Sequence, residues 1–137
     1  MRALTLMAPL LPVLALAGCA SARSQDAEHA RTKQELADAL KGATQTGQTE
    51  CIDPQFMDGP QIIGDHILLY RNGRKIYRNN LLGPCPSLDE TSTLIVKQFG
   101  SQLCRHDQFR VRNMGESIPS AFCQLGNFTV YQLPKKR

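Results

Sequence analysis

The sequence has no tryptophan, and aromatic residues make up 6% of its 137 positions. It has no basic helix and no interleaving of aromatic with basic side chains, which removes nucleic acid from the partners to consider. Glycine-rich phosphate loops are missing. Ser87, Ser92, Ser101, Ser117 and Ser120 all lack the Gly-x-Ser-x-Gly setting of an esterase-type nucleophile. Beyond residue 19 no two cysteines lie closer than 19 positions, so the close pairs of a zinc site are absent. No apolar run reaches the roughly 20 residues that a membrane-spanning helix needs. What remains is 20% charged and 42% hydrophobic residues, the composition of an ordinary globular domain. The sequence therefore points to no cofactor, no metal and no reaction.

The N-terminus is more explicit. Arg2 is the only charged residue in the first 18, and the run from Ala3 to Ala17 is apolar, broken by Pro9 and Pro12. A basic start, a short apolar core and small residues at its end describe a signal peptide over residues 1–18. Leu16-Ala17-Gly18-Cys19 resembles a bacterial lipobox, in which Cys19 becomes the acylated first residue of the mature chain. Two or more acyl chains anchor a protein stably where one does not, so the expected partner is a membrane, reached through an N-terminal lipid. The expected address is the cell envelope, facing the periplasm. Ala20, rather than an aspartate, follows the cysteine and favours the outer membrane over the inner.

Removing the signal leaves about 119 residues, enough for one domain. The formal charge is +4, and Lys135, Lys136 and Arg137 carry much of it as a basic tail over residues 134–137. With Cys19 assigned to lipid, Cys51, Cys85, Cys104 and Cys123 remain. An even count in a small exported domain implies two disulfides. Three pairings exist, and the expectation is Cys85–Cys104 and Cys51–Cys123, one local and one joining the ends of the domain.

Residues 19–50 read as a lipidated tether. Asp26 to Lys41 holds good helix formers, with Ser24 as a cap and Gly42 as a stop. Its apolar stripe (Ala30, Leu36, Ala37, Leu40) is thin, so the helix over 26–41 is expected to be marginal and not to dock firmly. Gly42 to Thr49 reads as flexible linker. From Cys51 the pattern turns to strands. Ile67–Tyr70 and Lys75–Arg78 flank Asn72-Gly73, a strong hairpin signal. With Asn72-Gly73 at the tip, Leu69 faces Ile76 and Tyr70 faces Lys75. Thr91–Phe99, Phe109–Val111, Phe122–Leu125 and Phe128–Leu133 supply further strands, and Leu81–Pro86 is a turn locked by two prolines. The fold class that follows is mainly β: a small disulfide-braced antiparallel barrel or sandwich over residues 51–133, preceded by the marginal helix.

The order Cys51-Ile52, Arg74-x-x-Tyr77-Arg78-Asn79, Cys85-Pro86-x-Leu88, Leu103-Cys104-x-x-Asp107 and Cys123-x-Leu125-Gly126-x-Phe128 is similar to a family of uncharacterised proteobacterial envelope lipoproteins built on a four-cysteine domain. The resemblance implies a fold and an address but no activity. Arg105-His106 stands where that family often places a glycine before the aspartate, which removes the expectation of a tight turn there.

Asp65-His66 and His106-Asp107 are the only His/Asp neighbours, and together they would offer an acid–base pair or a metal site. Neighbours on a strand point to opposite faces, so neither pair is expected to form a dyad by itself. Gly64-Asp65-His66 reads as a turn, Asp107 as a turn carboxylate bonding nearby amides, and His29 as a solvated tether residue. Arg71, Arg74, Lys75 and Arg78 crowd the hairpin and are the candidate anion-binding set, with Arg110 and Arg112 further on. The expected function is a non-enzymatic interaction or structural module of the envelope, with an envelope protein or the cell wall as partner. The competing expectation is a small-ligand binder or lysozyme-inhibitor-like protein. Oxidised cysteines carry a direct expectation: thiol titration of the denatured native protein finds none of Cys51, Cys85, Cys104 and Cys123 free, and reduction reveals all four.

Overall fold

The computed structural model describes residues 19–135, with side chains from residue 24 onward. The expected signal peptide over residues 1–18, including Leu16-Ala17-Gly18 of the lipobox-like stretch, and the tail residues Lys136-Arg137 lie outside the described residues. One helix, α1 (Cys19–Ala39), precedes ten strands: β1 (Thr44–Thr49), β2 (Cys51–Ile52), β3 (Asp58–Ile63), β4 (Ile67–Asn72), β5 (Lys75–Asn80), β6 (Thr93–Lys97), β7 (Leu103–Cys104), β8 (Gln108–Arg112), β9 (Cys123–Gln124) and β10 (Phe128–Gln132).

The strands form a five-stranded sheet in the order β1-β10-β5-β4-β3, a three-stranded sheet β6-β8-β9 and a ribbon β2-β7. All pairings are antiparallel. Strand β4 explains the layering. Ile67, Leu68, Leu69 and Tyr70 are all buried, so this strand must be covered on both faces. On one side Ile63, Ile67, Leu69 and Ile76 pack under Leu36, Ala39 and Leu40 of the helix region. On the other, Ile62, Leu68, Tyr70 and Phe128 meet Leu103, Phe109, Val111 and Leu125. The result is helix, sheet and second sheet, a sandwich-like mainly-β fold with two disulfides and no closed barrel.

The structure corrects five expectations about the fold. The helix is already formed at Cys19, the first described residue, ahead of the expected start at residue 26, because Ala20–Arg23 contains no breaker and Ser24 lies within the helix instead of capping it. It also docks. Arg71 Nη2 donates to the Ala39 carbonyl at 3.1 Å, placing a cation on the negative end of the helix. Thr32 rests against Gly64, whose φ of +60° and lack of a side chain permit the approach.

The stretch expected as linker is strand β1. Its side chains are almost all exposed, and it is held by backbone bonding to β10, with an irregularity between Gln45 and Gly47. A strand that buries no side chains leaves no hydropathy pattern to read.

The hairpin closes one residue later than expected. Asn72 pairs with Lys75, and Tyr70 with Tyr77. Gly73 takes the left-handed φ of +55°, giving a two-residue Gly73-Arg74 loop with glycine first.

The disulfides are Cys51–Cys104 and Cys85–Cys123, not the expected pairs. Cys51 and Cys104 sit directly opposite on β2 and β7, with Cα atoms 4.0 Å apart. Loop entropy changes by only about 0.6 kcal/mol per doubling of length, too little to impose the shortest loop against such pairing.

One polar group sits in the main core. Asn79 is 0% exposed. Its carboxamide donates to the Gly126 carbonyl at 2.8 Å and accepts from the Gly126 N–H at 3.0 Å. Gly126 packs so closely that an added Cβ would collide with the Asn80 carbonyl oxygen. Replacing Asn79 by alanine leaves both Gly126 polar atoms unpaired and opens a cavity. The expected cost is about 2–4 kcal/mol, and Gly126→Ala is expected to cost at least as much. Urea unfolding of both variants measures it.

Candidate functional site

A hollow of about 530 Å³ lies between α1 and the loop of residues 86–91. Local geometry builds it. The contact of Thr32 with Gly64 sets the helix on the β3–β4 loop, and the Cys85 N–H donates to the Asp65 carbonyl at 3.2 Å, drawing the proline-locked turn alongside. Asp89 then shapes the far wall. It accepts from the Thr91 N–H at 2.7 Å and the Thr91 hydroxyl at 2.8 Å, while the Ser92 N–H closes the turn onto the Asp89 carbonyl at 3.1 Å. These donors, the Thr91 hydroxyl foremost, hold the Asp89 carboxyl below the usual carboxylate range.

The walls carry Glu28, Glu35, Asp65, Asp89 and Glu90 against one guanidinium, Arg31. Arg31 bridges helix and loop, 2.8 Å from Glu35 and 2.5 Å from Glu90. Its side chain is 68% exposed, so solvent screens the bridge and it tethers the loop only weakly. The hollow is thus open and acidic. It offers hydrogen-bond acceptors and negative potential.

The histidines stay apart. Asp65 and His66 occupy the three-residue loop between Ile63 and Ile67, so strand alternation does not govern them. Their side chains bond directly, Nδ1 to Oδ1 at 2.6 Å, which corrects the expectation that neighbours could not pair. His66 is 42% and Asp65 48% exposed. His106 belongs to the turn after β7 and takes φ +71°. The tight turn forms there without glycine, histidine being among the side chains that tolerate this region. Asp107 accepts from the Cys104 N–H at 2.7 Å as a turn carboxylate. Among the described residues no three of His, Cys, Asp and Glu converge in a way that would hold a metal ion. His29 is exposed on the helix.

The hairpin cations do not form one anion site. Arg71 caps the helix. Arg78 donates to Asn80 Oδ1 at 2.8 Å. Arg74 stands in the loop, and Lys75, opposite Asn72, projects from the other face of the sheet than Arg71 and Arg78. Arg110 and Arg112, which the sequence set beside these candidates, stand instead on the outer face of β6 and β8. The signal was present in the alternation of Phe109 and Val111 with Arg110 and Arg112, which puts the arginines on the solvent side.

A protein-family model described as a family of unknown function, DUF6491, matches residues 2–130, and the chain belongs to that family. No curated protein and no solved structure matches the chain. Among the described residues, no helix is long and apolar enough to cross a membrane.

Asp89 supplies a pH test of the wall. Its folded-state pKa lies below the unfolded one, so its contribution is complete above the ordinary carboxylate range and is lost as pH falls through the lowered value. Asp89→Asn removes that dependence. Urea midpoints followed from about pH 5 to about pH 2 are expected to fall more steeply for the parent chain than for the variant.

Proposed function

We propose that this member of the DUF6491 family is a lipid-anchored protein of the bacterial envelope whose disulfide-braced domain is a non-enzymatic interaction module. The observation that carries the reading is the double position of Cys19. It follows Leu16-Ala17-Gly18 directly, and it lies on α1, the helix whose last turns pack on the central sheet. An acyl group there would hold the domain through a 21-residue rod, about 30 Å long at 1.5 Å per residue, in place of a loose coil. The stretch of that rod from Ser24 to Arg31 is exposed. Two disulfides suit an oxidising compartment outside the cytoplasm. The hollow presents its carboxylates at an open surface, a wall that suits the binding of a partner. An envelope protein or the cell wall is the proposed partner, and the residue after the cysteine favours the outer membrane.

A second reading, a small-ligand or muramidase-inhibiting binder, gains from the five carboxylates of the hollow, because such a wall suits a cationic partner. Inhibition of a muramidase by the isolated protein, lost in Glu35→Gln/Glu90→Gln, would favour it over the first.

Mass spectrometry of the chain purified from bacterial membranes is expected to show Cys19 as the N-terminal residue carrying acyl groups. Cys19→Ser is expected to leave the protein in the soluble or unprocessed fraction. A mature N-terminus elsewhere, or an unmodified Cys19, would overturn the anchor.

A further inference from the structure

We propose that the outer face of the β6-β8-β9 sheet docks on an anionic phospholipid surface. The alternation along the strands sorts side chains between two environments. Leu94, Val96, Phe109 and Val111 turn inward to the main core. Thr93, Ile95 and Lys97 of β6 therefore share the outer face with Gln108, Arg110 and Arg112 of β8. The register sets Ile95 opposite Arg110 and Thr93 opposite Arg112. None of the three strands contains an acidic residue. Among the described residues, no carboxylate pairs with Lys97, Arg110 or Arg112. Five of the twelve acidic residues line the hollow beside α1, and Glu116, between Met114 and Ile118, accepts from the Asn113 N–H at 3.3 Å.

Apolar groups surround these cations. Phe99, Met114, Ile118 and Phe122 are 79%, 90%, 79% and 55% exposed, and Ile95 is 43% exposed. All lie on this sheet or on the segments leaving its strands, and they are five of the seven large exposed apolar residues in the described chain. Two of the rings are tied to the cations. Lys97 Nζ stands 5.4 Å from the Phe99 centroid, and the Arg110 guanidinium 5.1 Å from that of Phe122. Arg110 also donates to the carbonyls of Ser120 and Pro119, at 2.7 and 3.2 Å. It thereby positions the Phe122 segment, and leaves Lys97 and Arg112 as the cations free to meet a ligand.

A soluble anionic polymer or an acidic protein patch would satisfy the charges but offer nothing to side chains as protruding as Phe99, Met114 and Ile118. A bilayer answers both, with anionic headgroups for the cations and acyl boundary for the apolar tips. The inference does not rest on acylation of Cys19, and its test uses chain without acyl groups, so the two fail separately.

The test is vesicle flotation of residues 19–137 carrying Cys19→Ala, a chain that contains every element of the described fold. It is expected to float with vesicles of phosphatidylcholine and phosphatidylglycerol and not with phosphatidylcholine alone. Lys97→Gln and Arg112→Gln are each expected to weaken binding about fivefold. High salt should abolish it by screening, and Phe99→Ser should weaken it with the cations intact. Equal binding to neutral vesicles, insensitivity of the parent chain to salt, or an unchanged Lys97→Gln/Arg112→Gln variant would overturn the proposal. So would capture by polyglutamate without capture by vesicles, which would assign the face to an acidic protein.

Discussion

The pairing of the Asn79 carboxamide with both backbone polar atoms of Gly126 joins the layers of this fold. Asn79 belongs to the central sheet, and Gly126 lies on the segment that leaves the second sheet. The neighbouring peptides complete a node. Leu82 donates to Gln124, His106 to Leu125, and Leu125 to Asp107, so three distant stretches of chain meet within a few residues. The two disulfides stand beside it, Cys85–Cys123 on one flank and Cys51–Cys104 at the base of the His106 turn. Buried backbone groups must find partners or cost free energy. One asparagine supplies them where no strand can, because the chain is changing sheets.

Around that node the domain is divided by charge. Carboxylates line the hollow where α1 meets the 86–91 loop, and unpaired cations stand with exposed aromatic rings on the far sheet. A formal net charge of +4 conceals this division. Arg71, which composition alone would count with the cationic surface, is spent on the C-terminus of the helix. The reading of the domain as an interaction module follows from such surfaces, since fold alone does not assign function.

Much of the architecture is legible in local sequence because it rests on local chemistry. Gly73 announces a hairpin through its positive φ, Gly42 stops a helix by the same freedom, and the apolar runs of β4, β6 and β8 mark strands with faces to bury. What escaped was held by other means. Strand β1 is kept by backbone bonds to β10, so its Thr-Gln-rich sequence looks like linker. The helix looked too thinly apolar to dock, yet a glycine gap at Gly64 and a cation at Arg71 secure it as much as its few leucines do. Of the candidate site residues, Asp107 behaves as its turn position suggests, whereas the sheet register sends Lys75 to the opposite face from Arg71 and Arg78, and the helix C-terminus takes Arg71.

The sequence by itself determined that the chain is mainly β and that four cysteines lie in a domain small enough to need them. These follow from composition, from periodicity and from residues whose backbone preferences are their own. Tertiary structure alone decided which cysteines join, which arginines remain free, and that Asn79 is a core residue. Each of those depends on what stands across from a residue in space. Cys51 meets Cys104 because β2 lies against β7, and no spacing along the chain encodes that approach.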